Sequence, residues 1–262
     1  MFYWIYDLST ETLAVLMTIA FVGFSWIGAI VVRPILRVLV RAAGGTNDVV
    51  GYILSCFCVF YGLLLGLIAV AAYQNYSQVD SAVQAEAAVL EALYQDVSSY
   101  PEPYGQNLRW ALRDYCRYEI KYAWPQYRKG IVPEGGDTRI SAFKEKLTSF
   151  QPKTKDDEIA HAEALRQFNT FLQHRRLREY AVTTGIPAVM WYVVVVGAII
   201  NIALVWLFEM KLVTHLFLGG LLSFFLGAVI LLIAVMDNPF RGDVSISPEA
   251  FESVYRATMM ES

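Results

Sequence analysis

Six small residues, Gly51, Ser55, Cys58, Gly62, Gly66 and Ala69, recur at steps of four and three, and on a helix that spacing gathers them into one narrow stripe. In a membrane such a stripe has two uses. It lets a neighbouring helix approach closely, or it lines an axial pore when several copies surround a symmetry axis. Both readings stay open, and they are compatible at different depths of one helix. Three cations, Arg33, Arg37 and Arg41, also share a helical face; they either snorkel to lipid phosphates or ring a pore mouth. Glu86 interrupts an otherwise apolar seam of Val79, Val83, Leu90, Leu93 and Val97. Its carboxylate either pairs with an arginine of the same domain or contributes to a carboxylate ring in a vestibule.

The remaining reactive side chains do not assemble a catalyst. His161, His174 and His215 lack metal-ligand spacing, and Glu163, three residues before Arg166, reads as a helix ion pair rather than an acid catalyst. Cys56 and Cys58 lack the CxxC spacing, and with Cys116 they predict no disulfide. No Gly-rich phosphate loop or nucleophile elbow is present in the sequence. The expectation is therefore no enzyme, no metal and no cofactor. A net charge of -3 without a basic block also argues against nucleic acid.

The elements that must carry these residues are membrane helices. Apolar residues make up 56% of the 262 and charged ones 17%, with mean hydropathy +0.42, a membrane-protein profile. Four spans are expected, at about 13–32, 49–72, 188–208 and 212–236, giving hairpins over 1–72 and 185–236. The first span is expected to end at Arg33-Pro34. The second apolar run continues past Tyr73 as a charged amphipathic helix without a breaker until Pro101, so one rod leads from bilayer into water.

Residues 73–184 then read as an all-α extramembrane domain. Leu108, Leu112, Tyr115, Ile120 and Tyr122 are expected core positions on one helix, and Ile159, Leu165, Phe168, Leu172 and Tyr180 lie on a longer one. Asn201, alone within the third span, is expected to hydrogen-bond across to a neighbouring helix. Residues 237–262 form a tail with turn formers and two aromatic anchors, Phe240 and Phe251, and are expected to be ordered. The arginines flanking the spans are nearly balanced, with Arg175, Arg176, Arg178 and Arg241 on one side and Arg33, Arg37, Arg41 and Lys211 on the other. Charge therefore leaves the orientation open.

Four segments carry a resemblance. Gln74-Asn75-Tyr76, Gln84-Ala85-Glu86-Ala87, Ala188-Val-Met-Trp191 and Asp237-Asn238-Pro239-Phe240-Arg241-Gly242 resemble the bacterial bestrophin-like membrane family over nearly the whole chain. A more distant similarity runs to the bestrophins proper. That resemblance implies a homo-oligomer, a pentamer by analogy, handling inorganic ions in a bacterial inner membrane, with both termini and the helical domain cytoplasmic. It implies a pore along the second span. Asn238, Pro239 and Phe240 match the bestrophin motif that leads into a calcium clasp, but Arg241 precedes Gly242 and only Asp243 follows in place of an acidic run. Calcium asks for several oxygen ligands, so no calcium clasp is expected.

Two functions compete on these grounds. One is an oligomeric ion channel, anion-conducting by analogy and by two basic rows at helical spacing, Arg33, Arg37 and Arg41 and then Arg109, Arg113, Arg117 and Lys121. The other is a membrane-anchored sensor or scaffold whose helical domain binds a partner without conduction.

Overall fold

The structure, a computed structural model, describes residues 8–40 and 46–260, with side chains over 8–35 and 47–260. Among the described residues all regular structure is helical. The α-helices follow in the order α1 (Thr10–Val40), α2 (Thr46–Ser98), α3 (Tyr104–Tyr118), α4 (Trp124–Tyr127), α5 (Gly135–Thr148), α6 (Lys155–Thr183), α7 (Ala188–Trp206), α8 (Leu212–Asp237) and α9 (Glu249–Val254). Single π-helical turns, Glu119–Ala123 and Tyr255–Met259, follow α3 and α9. Among the described residues four helices are long and apolar enough to cross a membrane: α1, α2, α7 and α8. The helix that carries the first expected span continues beyond Arg33-Pro34. Pro34 lies inside α1, where it removes one backbone donor without ending the helix.

The chain divides into two compact units, 1–75 with 185–237, and 76–184 with 238–262. In the apolar unit, Tyr61, Leu65 and Ile68 of α2 pack with Ala29 of α1, Val194, Ala198, Ile202 and Trp206 of α7, and Leu226, Ile230 and Ile233 of α8. Packing is close where small residues allow it. A Cβ on Gly197 would sit 2.3 Å from the Tyr61 ring, so α2 and α7 meet only because that position has no side chain.

Several polar groups inside this unit find partners across helices, as an apolar surround demands. The Tyr61 hydroxyl donates to Val194 O at 2.6 Å, and Cys58 Sγ donates to Asn201 Oδ1 at 3.1 Å, the cross-helix bond expected of Asn201. Trp206 Nε1 donates to Ser25 O at 3.0 Å. The Arg33 guanidinium is buried and donates to Phe208 O at 3.4 Å and to Met210 O. It therefore caps carbonyls beyond the end of α7 and does not reach for lipid phosphates.

In the helical unit every residue of the Val79, Val83, Glu86, Leu90, Leu93, Val97 seam is buried, against Leu108, Leu112 and Tyr115 of α3, Phe143 and Leu147 of α5, and Phe168 and Phe171 of α6. Helix α6 begins at a capping box: Asp157 N donates to Thr154 Oγ1 at 3.1 Å, and Thr154 N donates to Asp157 Oδ2 at 3.0 Å. Glu163 and Arg166 form the expected ion pair.

Two core expectations are corrected here. Tyr122 is exposed, because the π-turn at Glu119–Ala123 inserts extra backbone into the helical register. Glu119 and Ala123 turn inward in its place. On α6, Ile159 and Tyr180 are exposed while Arg175 and Arg178 are buried. The inward face of α6 thus carries guanidiniums where a periodicity reading places apolar groups.

Candidate pore helix and its buried anchor

Helix α2 carries the six-residue stripe within its membrane part. The face of α2 that packs inward is Tyr61, Leu65, Ile68 and Ala72, and the stripe lies about a quarter turn away from it at roughly 100° per residue. Gly62 and Gly66 are exposed, and a Cβ on either would meet nothing within 4 Å. Ser55 is exposed too, whereas Gly51, Cys58 and Ala69 are half-buried at the flank. A Cβ on Gly51 would meet the Phe208 ring at 3.8 Å, and Cys58 is held by Asn201. Part of the stripe therefore serves packing within the chain, and Ser55, Gly62 and Gly66 remain open. The side chain of Arg37 and the whole of Arg41 lie outside the described residues.

Glu86, farther along α2, is fully buried and does not stand on a vestibule wall. It is the acceptor in a two-pronged ion pair with Arg178 of α6: Arg178 Nε to Glu86 Oε2 at 2.6 Å and Nη2 to Oε1 at 3.0 Å. The same guanidinium donates through Nη1 to Glu119 Oε2 at 3.0 Å. Tyr115 OH donates to Glu86 Oε1 at 3.2 Å, and Tyr127 OH donates to Glu119 Oε2 at 2.7 Å. The Trp124, Tyr127 and Phe251 rings surround the guanidinium, their centroids 5.5, 5.0 and 5.6 Å from its carbon, a favourable arrangement for a cation.

The electrostatics follow from burial. Loss of water pushes the Glu86 carboxyl up; Arg178 pulls it back, and the neighbouring Glu119 charge adds to the rise. Burial alone would pull the Arg178 guanidinium down, but the Glu119 and Glu86 carboxylates outweigh it and hold the group above its ordinary range. Burial also pushes the Cys116 thiol up to about 12, with Glu119 and Glu86 adding to it, so this cysteine is an inert core thiol. Next to the cluster, Arg175 pairs with Asp137 at 2.8 Å and with Glu179 at 2.5 Å. Because Arg175 and Arg178 are engaged inside the unit, neither is available to an anionic membrane surface.

The tail motif is divided between the two units. Asp237, at the end of α8, is buried and accepts Ile186 N on Oδ1 at 2.5 Å and Trp191 Nε1 on Oδ2 at 3.2 Å. Asn238 O accepts Arg241 N at 3.0 Å, closing the turn, and Pro239 O accepts Ile246 N at 2.8 Å. Phe240 is buried against Trp124 and Tyr127, both ring pairs at 5.9 Å. Arg241 donates to Arg128 O and Lys129 O at 3.4 and 3.2 Å, a cation on the carbonyls that end α4. Gly130, at φ +72°, supplies the left-handed residue that turns the chain there. Among the described residues no three of His, Cys, Asp and Glu gather at metal-binding range.

This architecture has relatives. The sequence model of the bestrophin-like domain matches residues 19–251, nearly the full described chain. The chain belongs to the bestrophin-like domain family. Solved structures agree on the fold. A bacterial bestrophin homolog from Klebsiella pneumoniae, carrying a single tyrosine-to-alanine mutation, superposes with TM-score 0.68 at 12% identity, covering 93% of this chain and 99% of that one. A leucine-to-alanine variant described only as a membrane protein gives TM-score 0.67 at 12% identity over 97% and 100%. The Klebsiella homolog solved by Zn-SAD phasing gives 0.63 at 12% over 94% and 96%. No curated protein matches the sequence significantly. At such identities the bestrophin-like likeness is one of fold.

Sequence reasoning isolates Glu86 as the odd residue on its seam and offers an arginine of the same domain as its partner, a pairing the structure shows with Arg178, but it does not say which arginine and misses Glu119. Arg178 is visible only as a flanking cation, and Glu119 only as part of a helical run. The signal is present in their types: a carboxylate in an apolar stripe needs a buried cation. The π-turn that aims Glu119 inward leaves no comparable mark in the sequence.

Proposed function

We propose that the chain assembles as a homo-oligomeric, anion-conducting channel, with α2 around the axis and the helical unit forming a cytoplasmic vestibule. The observation that carries this reading is the open part of the α2 stripe. Ser55, Gly62 and Gly66 are exposed beside a fully packed inner face, so a long membrane helix presents small side chains that its own bundle does not use. Rings of such helices leave a narrow path, and apolar constrictions suit selective conduction. The family supports the oligomer; a pentamer, the bacterial inner membrane and the cytoplasmic placement of termini and helical unit come by analogy with bestrophins. Anion preference rests on that analogy and on Arg37 and Arg41, since Arg33 is turned inward onto carbonyls.

The direct test is subunit count, by native mass spectrometry from detergent and from nanodiscs. A closed oligomer is expected; a monomer in both overturns the proposal. Cysteine-accessibility labelling from the two sides of the membrane tests the orientation, and labelling of the helical unit only from outside would reverse it.

A scaffold reading is favoured by one observation: Trp110, Tyr122, Ile159, Leu177 and Tyr180 of the helical unit are exposed apolar side chains. A tight complex with another protein, combined with silent bilayers, would favour it.

A further inference from the structure

Two guanidiniums and three carboxylates are enclosed together in the helical unit. Arg175 and Arg178 are buried, as are Glu86 and Glu119, and the Glu179 side chain is 17% exposed. Asp137, which also pairs with Arg175, is 68% exposed and belongs to the solvent rim. With all groups ionised the enclosed set carries one uncompensated negative charge, and a dry interior does not tolerate that. Glu86 and Glu119 moreover bind the same guanidinium, and two carboxylates sharing a site cannot both ionise freely. Glu119 Oε1 has no hydrogen-bond partner among the described residues, and neither have Glu179 Oε1 and Arg175 Nη2, although these two are close enough to form an ion pair. Glu119 Oε1 faces Gly136 of α5, where a Cβ would come within 2.9 Å of it and 3.0 Å of Arg175 Nη2.

We propose that the Glu86–Glu119 pair around Arg178 is a buried proton-binding site that holds one proton at neutral pH, and that the packing of α2 against α6 is more stable while that proton is bound. The groups facing the pair from the packed elements are Tyr115 and Cys116 of α3, Tyr127 of α4, Asp137 of α5, and Arg175, Arg178 and Glu179 of α6; α9 contributes the Phe251 ring. Both phenols are driven up by burial and remain donors at neutral pH. The two guanidiniums keep their charge throughout. The ionisation in question therefore belongs to the pair rather than to either residue. Burial raises the Glu86 carboxyl, so the stabilising contribution is present at low pH and is lost as pH rises through the folded-state value. Loss of the proton leaves the enclosed negative charge uncompensated, and the α2–α6 bond set loosens. This holds whether or not the protein conducts.

The test is infrared spectroscopy of the full chain in an ester-free detergent, reading the stretch of a protonated carboxyl group. A band is expected in the natural protein at about pH 7, bleaching on alkaline titration, and absent from both Glu86→Gln and Glu119→Gln, because the remaining carboxylate beside Arg178 then ionises. Amide protection across residues 83–90, taken relative to the intrinsic base-catalysed exchange rate, is expected to fall as pH rises in the natural protein and to stay flat in Glu119→Gln, a neutral mimic of the protonated acid. The absence of the band at about pH 7 overturns the proposal, and that result needs no variant to fold. A band that survives in either variant also overturns it.

Discussion

Replacing Arg178 by Met removes the guanidinium that bridges Glu86 and Glu119 while roughly preserving volume. That group donates two hydrogen bonds to Glu86 oxygens, one to Glu119 and one to the Tyr115 hydroxyl, and three aromatic rings face it. Breaking a buried pair from one side costs about 3–5 kcal/mol, mostly from the charge left behind. For a chain of this size that corresponds to a fall in melting temperature of about 10 °C. The triple variant Glu86→Gln, Glu119→Gln, Arg178→Met deletes the orphaned charges too and is expected to regain most of the loss, since a neutral replacement of a buried ion pair is often tolerated. Trp124 lies against the guanidinium, so its fluorescence during thermal unfolding in detergent is the assay. A single variant that loses under about 1 kcal/mol, or a triple variant no better than the single one, would refute the reasoning.

Three further outcomes follow from the geometry. Asp237→Ala strands the Ile186 amide and the Trp191 indole N–H, so a loss of about 1–3 kcal/mol is expected, with Asp237→Asn milder; thermal unfolding of both variants checks it. Burial holds His161 down, with Tyr100, itself pushed up to about 12, placed 2.7 Å from Nδ1; stability carried by the neutral ring is present above about pH 6.5 and lost as pH falls, and His161→Gln should flatten that acid-side slope in a pH series of melting curves. Arg241→Ala frees the carbonyls of Arg128 and Lys129, and amide exchange of Gly130 and Ile131 should accelerate roughly fivefold, the equivalent of about 1 kcal/mol.

The spans, the rod-like second helix and the inward seam from Val79 to Val97 are legible in the sequence because each rests on one dominant force, apolar burial with a helical period. The anchor is not, because its pairing joins residues 92 apart in α2 and α6, and periodicity carries no information about which polar groups meet. Tyr122 shows the second limit. A one-turn change from α to π backbone between Glu119 and Ala123 exchanges an expected core tyrosine for a carboxylate, and the local sequence does not announce such a turn. Arg33 shows a third, since an arginine at the end of an apolar run reads the same whether it reaches a phosphate or the Phe208 and Met210 carbonyls. The Asn201 bond is foreseeable, because a lone amide in lipid has few alternatives to a neighbouring helix.

Conduction along the open stripe of α2 is tested most directly by the reversal potential of the purified protein in a planar bilayer under an asymmetric KCl gradient, with Gly62→Trp alongside. Gly62 has nothing within 4 Å of a Cβ position, so a side chain can start there without a clash, and an indole would obstruct the path that the proposed channel places along this face. The expected result is a current reversing near the chloride equilibrium value and abolished by Gly62→Trp. A reversal near the potassium value would contradict anion preference, and no current from the natural protein would contradict the channel itself.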